Sequence, residues 1–178
     1  AADPIDGNPL DSNSARGTLM TGMGGVAATR AALESFRAKG VAAGFPGLHI
    51  QGILWGNIPS TLSNVPGLQS AATQDNTVKA LGIDSLTNYQ WCHYTRPNLP
   101  YGEWAEKAVA QWEPWSSGFS MPFYPHVSVG WDTNPRFPTK RCDYVTGQTP
   151  AQFGEYLKKA MAFVEGKKLS PRLISVKA

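Results

Sequence analysis

Residues 120–136, SMPFYPHVSVGWDTNPR, have the pattern of a buried strand that ends abruptly in a polar loop. Phe123 and Val127 carry the aromatic and β-branched side chains that are typical of such a strand. Gly130 and Pro135 are turn residues, and they stop the strand. An indole, a carboxylate, an amide and a guanidinium follow within six residues. This concentration of polar groups at a strand exit favours a site that holds a polar, flat ligand.

A structural role explains the same loop. Asp132 could cap the loop through its own backbone, and Trp131 could cover the core. Arg136 could pair with Asp132 or with Asp143. The residues of the loop alone leave both interpretations open.

Helix and strand patterns alternate around this strand. Helices are predicted over 26–43, 75–81, 102–115 and 150–165, and strands over 48–55, 84–89, 121–129 and 172–176. In the first helix, Leu33 and Phe36 are placed on the apolar face. The last helix has the clearest signals, with Thr149 as N-cap, Pro150 at the first helical position and Gly166 at the end.

Four helix–strand units of this kind predict an α/β fold with parallel strands and right-handed crossovers. The units correspond either to half of an eightfold barrel or to a four-stranded open sheet. In both architectures the functional end lies at the carboxyl ends of the strands. Residues 1–25 lack any periodicity and are predicted to be an irregular N-terminal loop.

Composition narrows the function classes. The chain has 178 residues, 42% of them hydrophobic and 16% charged, which suits one domain or part of one. The net charge is only +3, and no basic run exceeds two residues, so a nucleic-acid partner is not predicted. No apolar run approaches the roughly eighteen residues of a membrane span.

Cys92 and Cys142 lack the spacing of metal ligands, and no metal or other cofactor is predicted. The two cysteines could form one disulfide or remain two buried thiols. The compartment stays open, with secretion or a periplasmic location as options.

The strand exits are rich in aromatic and hydrogen-bonding residues, which suit stacking on sugar rings. The residues at these exits are Trp55, Asn57, Tyr89, Trp91, His93, Tyr94, Trp131, Asp132 and Arg136, and His126 lies on the third strand. Glycoside hydrolysis requires two carboxylates, and Asp132 is the one acid predicted at a strand exit. The chain therefore offers walls for a sugar site without a catalytic pair, and no catalytic residue is predicted.

Four segments carry a family resemblance: PFYPHVSVGWDTNPR (122–136), FRAKGVAAGFPGLHIQGI (36–53), LGIDSLTNYQW (81–91) and LISVKA (173–178). Together they resemble the WbsX-like group of proteins, which is related to glycoside hydrolase family 99, the endo-α-mannosidase group. The likeness runs from about residue 31 to residue 178.

This resemblance implies a (β/α)8 barrel, and cleavage or rearrangement of α-mannosidic linkages without a metal in the chemistry. It also implies that Trp131, Asp132 and Arg136 line the sugar site and that Tyr89 and Trp91 wall it. In that group a strand similar to 173–178 is followed by a Trp-Asn-Glu-Trp-type motif with paired acids. The sequence ends where that motif would begin, so the chain is expected to be a fragment that is inactive alone.

The resulting prediction is that residues 1–178 are part of a single (β/α)8 TIM-type barrel domain. The predicted function is that of a carbohydrate-active, glycoside hydrolase-like protein acting on glycans or polysaccharide. A non-catalytic glycan-binding or polysaccharide-assembly protein is the alternative, and an unrelated open α/β domain that binds a small ligand is a third. Self-association is expected through the open edge of strand 172–176. The predicted substrate-binding residues are Trp55, Tyr89, Trp91, His126, Trp131, Asp132 and Arg136, although His126 also fits the pattern of a satisfied core histidine.

Overall fold

A computed structural model of the chain describes residues 23–54, 74–137, 139 and 141–177. The helices in this part are α1 (Val26–Ala42), α2 (Gln74–Leu81), α3 (Tyr101–Val109), α4 (Trp112–Gly118) and α5 (Pro150–Gly166). The strands are β1 (Gln51–Leu54), β2 (Ser85–Asn88), β3 (Phe123–Tyr124), β4 (His126–Ser128) and β5 (Ser175–Lys177). Short 3₁₀ helices, η1 (Trp91–His93) and η2 (Asn134–Arg136), lie in the loops after β2 and β4.

The described strands form two small sheets, so the prediction of a mixed α/β fold is confirmed. One sheet has the strand order β1–β2–β3, and the other pairs β4 with β5. The β4–β5 pair is parallel, with His126 opposite Ser175 and Ser128 opposite Lys177. Neither sheet closes on itself within the described ranges, and the barrel stays a prediction.

The helix predicted over 102–115 is wrong as a single element, because a break at Ala110 and Gln111 separates α3 from α4. Pro114 supplies the physical reason. In a continuous helix its ring would collide with the carbonyl group of Ala110, and it has no N–H to donate.

Proline also divides the strand predicted over 121–129. Pro125 lies between β3 and β4 and cannot donate to a strand ladder.

Helix α5 begins as predicted, since the Gln152 amide N–H donates to Thr149 Oγ1 at 3.2 Å. The helix ends at Gly166, but the left-handed conformation beyond it is adopted by Lys168, with φ 54°.

The chain divides into two compact units. The first comprises residues up to Leu86 together with Gly118–Met121. In its described part, the Arg37 side chain on α1 forms an ion pair with Asp84 at 2.5 Å and donates to the Leu48 carbonyl at 3.3 Å. One guanidinium thus joins α1 to the chain segments that lead into β1 and β2.

The second unit comprises Thr87–Ser117 and Pro122–Ala178. Its core is mainly aromatic, and the large side chains in it are almost completely buried. They include Trp91, Tyr101, Trp104, Trp112, Trp115, Phe123 and Tyr156. The parallel β4–β5 pair and most of the predicted site residues belong to this unit.

Candidate functional site

Side chains from three strand ends meet in the second unit. Tyr89 directly follows β2, Trp131 lies three residues beyond β4, and Lys177 is the last residue of β5. His93, at the end of η1, completes the group. The carboxyl ends of strands are where α/β folds place their ligands. We call these four residues the aromatic cluster.

The rings of the aromatic cluster are in contact. The ring centroids of Tyr89 and His93 lie 5.2 Å apart, and those of His93 and Trp131 lie 5.7 Å apart in an edge-to-face arrangement. The Lys177 ammonium group sits 3.7 Å from the centroid of the Tyr89 ring, in the geometry of a cation–π interaction. All four residues are half-buried.

Trp131 is the candidate ring for stacking on a ligand. Lys177 already occupies one face of Tyr89. An edge-to-face contact with His93 covers at most one face of the indole. Because Trp131 is only half-buried, part of this residue remains accessible beside polar groups.

His93 is held in its uncharged form. Burial, with the positive charge of Lys177 as the second cause, lowers the pKa of His93 from 6.5 to about 4. A neutral imidazole has one nitrogen that donates and one that accepts. At neutral pH, His93 therefore contributes an uncharged polar ring to the cluster.

Trp91, predicted to wall the site, lies instead in the core with 0% of its surface exposed. Its Nε1–H donates to the His126 carbonyl at 2.8 Å, and its ring contacts Trp104 edge to face at 5.2 Å. No face of this indole is open to a ligand. A packing role replaces the predicted wall role for Trp91.

His126 is also fully buried, as the alternative of a core histidine anticipates. Its Nε2 lies 2.9 Å from Ser128 Oγ, while its Nδ1 has no partner among the described residues. Burial, followed by the charge of Lys177, lowers the pKa of His126 to about 4. Its side chain therefore does not present a surface to a ligand in this structure.

Polar side chains share one face of the β4–β5 pair. Alternate residues of a strand point to the same side, so His126 and Ser128 face the same way as their partners Ser175 and Lys177. Thr87 Oγ1 donates to Ser175 Oγ at 3.2 Å. Lys177 belongs both to this polar face and to the aromatic cluster.

The loop that carries Trp131 is fixed by its own hydrogen bonds. Asp132 Oδ1 accepts from the Asn134 backbone at 2.8 Å and from its side-chain amide at 2.7 Å. Asn134 in turn accepts from the Cys142 N–H and donates to the Cys142 carbonyl. The Val145 N–H donates to the Trp131 carbonyl at 2.9 Å. Asp132 thus has the predicted capping role, and its exposed Oδ2 is left open among the described residues.

Arg136 is exposed, at the end of η2. Asp143, which the sequence offered as its ion-pair partner, pairs with Arg96 at 2.5 Å. No hydrogen bond, ion pair or ring contact links Arg136 to the aromatic cluster in the described part. Trp55, the remaining predicted site residue, falls outside the described residues, as does Asn57.

The second unit also contains a groove of about 440 Å³, and this groove was not predicted from the sequence. Its size is within the range of small-molecule sites. It forms where the chain before α3 runs beside the segment after η2, with the Tyr101 N–H donating to the Thr146 carbonyl at 2.8 Å. The groove is lined by Asn98, Leu99, Pro100, Arg141, Cys142, Asp143, Tyr144 and Thr146. Two loops distant in sequence build it, so no local pattern signals it.

Cys92 is a poor candidate for a reactive group. Neither Cys92 nor Cys142 forms a disulfide in the structure. Burial raises the pKa of Cys92 far above its usual range, which disfavours the nucleophilic thiolate. Within the described ranges, no group of three or more histidine, cysteine or acidic side chains is placed to hold a metal ion.

Comparisons with protein families, with curated proteins and with solved structures found no match. The resemblance to the WbsX-like group therefore stays a prediction. Among the helices that the structure describes, none has the length and apolar character needed to cross a bilayer.

Proposed function

We propose that the chain is part of a carbohydrate-active protein and that it binds a glycan at the aromatic cluster. One observation carries this proposal: Trp131 is half-buried at the carboxyl end of a strand, in edge contact with a neutral imidazole. Sugar rings present a flat C–H face and a rim of hydroxyl groups. An indole face beside hydrogen-bonding side chains matches both features.

The polar groups near Trp131 would give the binding its direction. Next to Trp131 in the sequence, the Oδ2 of Asp132 can accept from a hydroxyl group. Arg136 has a place in this proposal only as an exposed residue at the margin of the loop.

The proposal also includes the architecture of the whole domain. A partial (β/α)8 barrel fits the alternation of helices and strands, the parallel β4–β5 pair and the position of the cluster at strand ends. A closed barrel would supply β5 with a second neighbour. A free edge on β5 would instead favour association between copies of the chain.

Hydrolase-like chemistry is proposed for the intact protein and not for this chain alone. Cleavage needs one carboxyl group to protonate the leaving oxygen and a second to act as nucleophile or base. Beside Trp131, the described residues provide Asp132, which already serves the loop turn. A non-catalytic glycan-binding protein is the second candidate, and this engagement of Asp132 favours it.

The test is a calorimetric titration with oligosaccharides, including α-linked mannose oligomers, against wild type and Trp131→Ala. Loss of the stacking surface should weaken binding roughly tenfold or more. Phe36→Ala is the matched control, because Phe36 is an aromatic residue of the first unit that is 60% exposed. The control should bind like wild type.

Equal affinity of Trp131→Ala and wild type would contradict the proposal. Light scattering on the same samples reports the mass of the species that binds. A monomer would argue against association through β5, without bearing on the glycan site.

A further inference from the structure

Lys177 brings a positive charge into the aromatic cluster. No carboxylate lies within ion-pair distance of its ammonium group in the described part of the chain. Its contact there is the Tyr89 ring face, at 3.7 Å. A ring quadrupole attracts a cation but does not neutralise its charge as a carboxylate would.

The other described neighbours of Lys177 do not offset this charge. The charge of Lys177 contributes to the lowered pKa values of His93 and His126, and both side chains are neutral at pH 7. Ser128, its partner across the parallel pair, is a buried hydroxyl residue. Partial burial also strengthens the field of the ammonium group relative to that of an exposed lysine.

We infer that the glycan bound at the aromatic cluster is acidic, with a carboxylate or phosphate group that pairs with Lys177 while a sugar ring stacks on Trp131. This inference rests on the proposed function and adds the chemical class of the ligand. A neutral sugar could offer the ammonium group only uncharged oxygen acceptors, whereas an anionic group would bind it through the stronger charge-assisted hydrogen bonds.

The experiment compares ligands that differ only in charge. Galacturonic acid oligomers are titrated beside their methyl-esterified forms, and mannose 6-phosphate beside mannose. The first pair tests a carboxylate and the second a phosphate. Wild type should bind the anionic member of at least one pair roughly tenfold more tightly. That preference should shrink as the salt concentration rises from about 0.05 to 0.5 M.

Two variants assign the preference to Lys177. Lys177→Met keeps an unbranched apolar side chain without the charge, so it should bind both members of a pair equally. Lys177→Arg keeps the charge and should retain the preference. Tryptophan fluorescence of each variant verifies that the fold is intact.

The outcomes separate this inference from the proposed function. If wild type binds neutral and anionic members equally well, or if Lys177→Met keeps the preference, the acidic ligand class is wrong while glycan binding stands. If no saccharide in either pair or in the α-mannose series binds, both ideas fail.

Discussion

Replacing Trp91 by alanine is expected to lower the free energy of unfolding by about 3–5 kcal/mol, the usual cost of deleting a large buried aromatic side chain. Trp91 is 0% exposed, and its ring contacts Tyr101, Trp104 and Tyr156. The truncation also removes the donor to the His126 carbonyl, which leaves a buried acceptor unpaired. Urea denaturation followed by circular dichroism measures the loss.

Trp91→Phe is the matched variant, and it keeps the protein folded if the alanine variant does not. It retains an aromatic ring but no N–H donor, so a loss of about 1–3 kcal/mol is expected. A Trp91→Ala variant within about 1 kcal/mol of wild type would contradict the packing role. Impaired glycan binding at unchanged stability would restore Trp91 as a wall of the site.

Acidification should destabilise the protein through His126. The pKa of this buried imidazole is about 4 in the folded chain and near 6.5 when unfolded. Between these values the unfolded state binds the proton first, so the stabilisation present above pH 6.5 is lost as the pH falls towards 4. A pKa difference of this size corresponds to a loss on the order of 3 kcal/mol.

The free energy of unfolding, measured at a series of pH values, tests this expectation. His126→Gln keeps a polar side chain but cannot titrate, so its pH dependence should be shallower than that of wild type. His93 contributes with the same sign, and its share should persist in this variant. Parallel curves for the two proteins would contradict a buried, neutral His126.

Local signals in the sequence predict most of the element order. Thr149 and Pro150 begin α5 because a side-chain cap and a preset φ act within one turn. Glycine and proline residues mark the ends of other predicted helices and strands, because their effect on the backbone is also local. The errors at Pro114 and Pro125 arise from giving an apolar pattern more weight than a missing N–H, and this steric rule could have been applied in advance.

Burial is harder to predict, because it depends on contacts between segments distant in sequence. On α1, Phe36 of the predicted apolar face is 60% exposed, while Arg37 reaches Asp84. Trp91 and Trp131 look equally suited to stacking in the sequence, yet one lies in the core and the other is only half-buried.

The aromatic cluster was predictable only in part. Tyr89 and Trp131 follow from their places at strand ends. His93 was visible at the same exit, but its contacts with both rings depend on η1. The position of Lys177 in the cluster could not be predicted, because it depends on the register of β5 beside β4.

Nuclear magnetic resonance of the tryptophan indole N–H groups tests glycan binding at the cluster most directly. A binding oligosaccharide is added to saturation, and the indole signals are assigned by single Trp→Phe substitutions. The Trp131 signal should shift, while the signals of the buried Trp91 and Trp104 should stay in place. Shifts of Trp91 and Trp104 with an unmoved Trp131 signal would contradict a glycan site at the aromatic cluster.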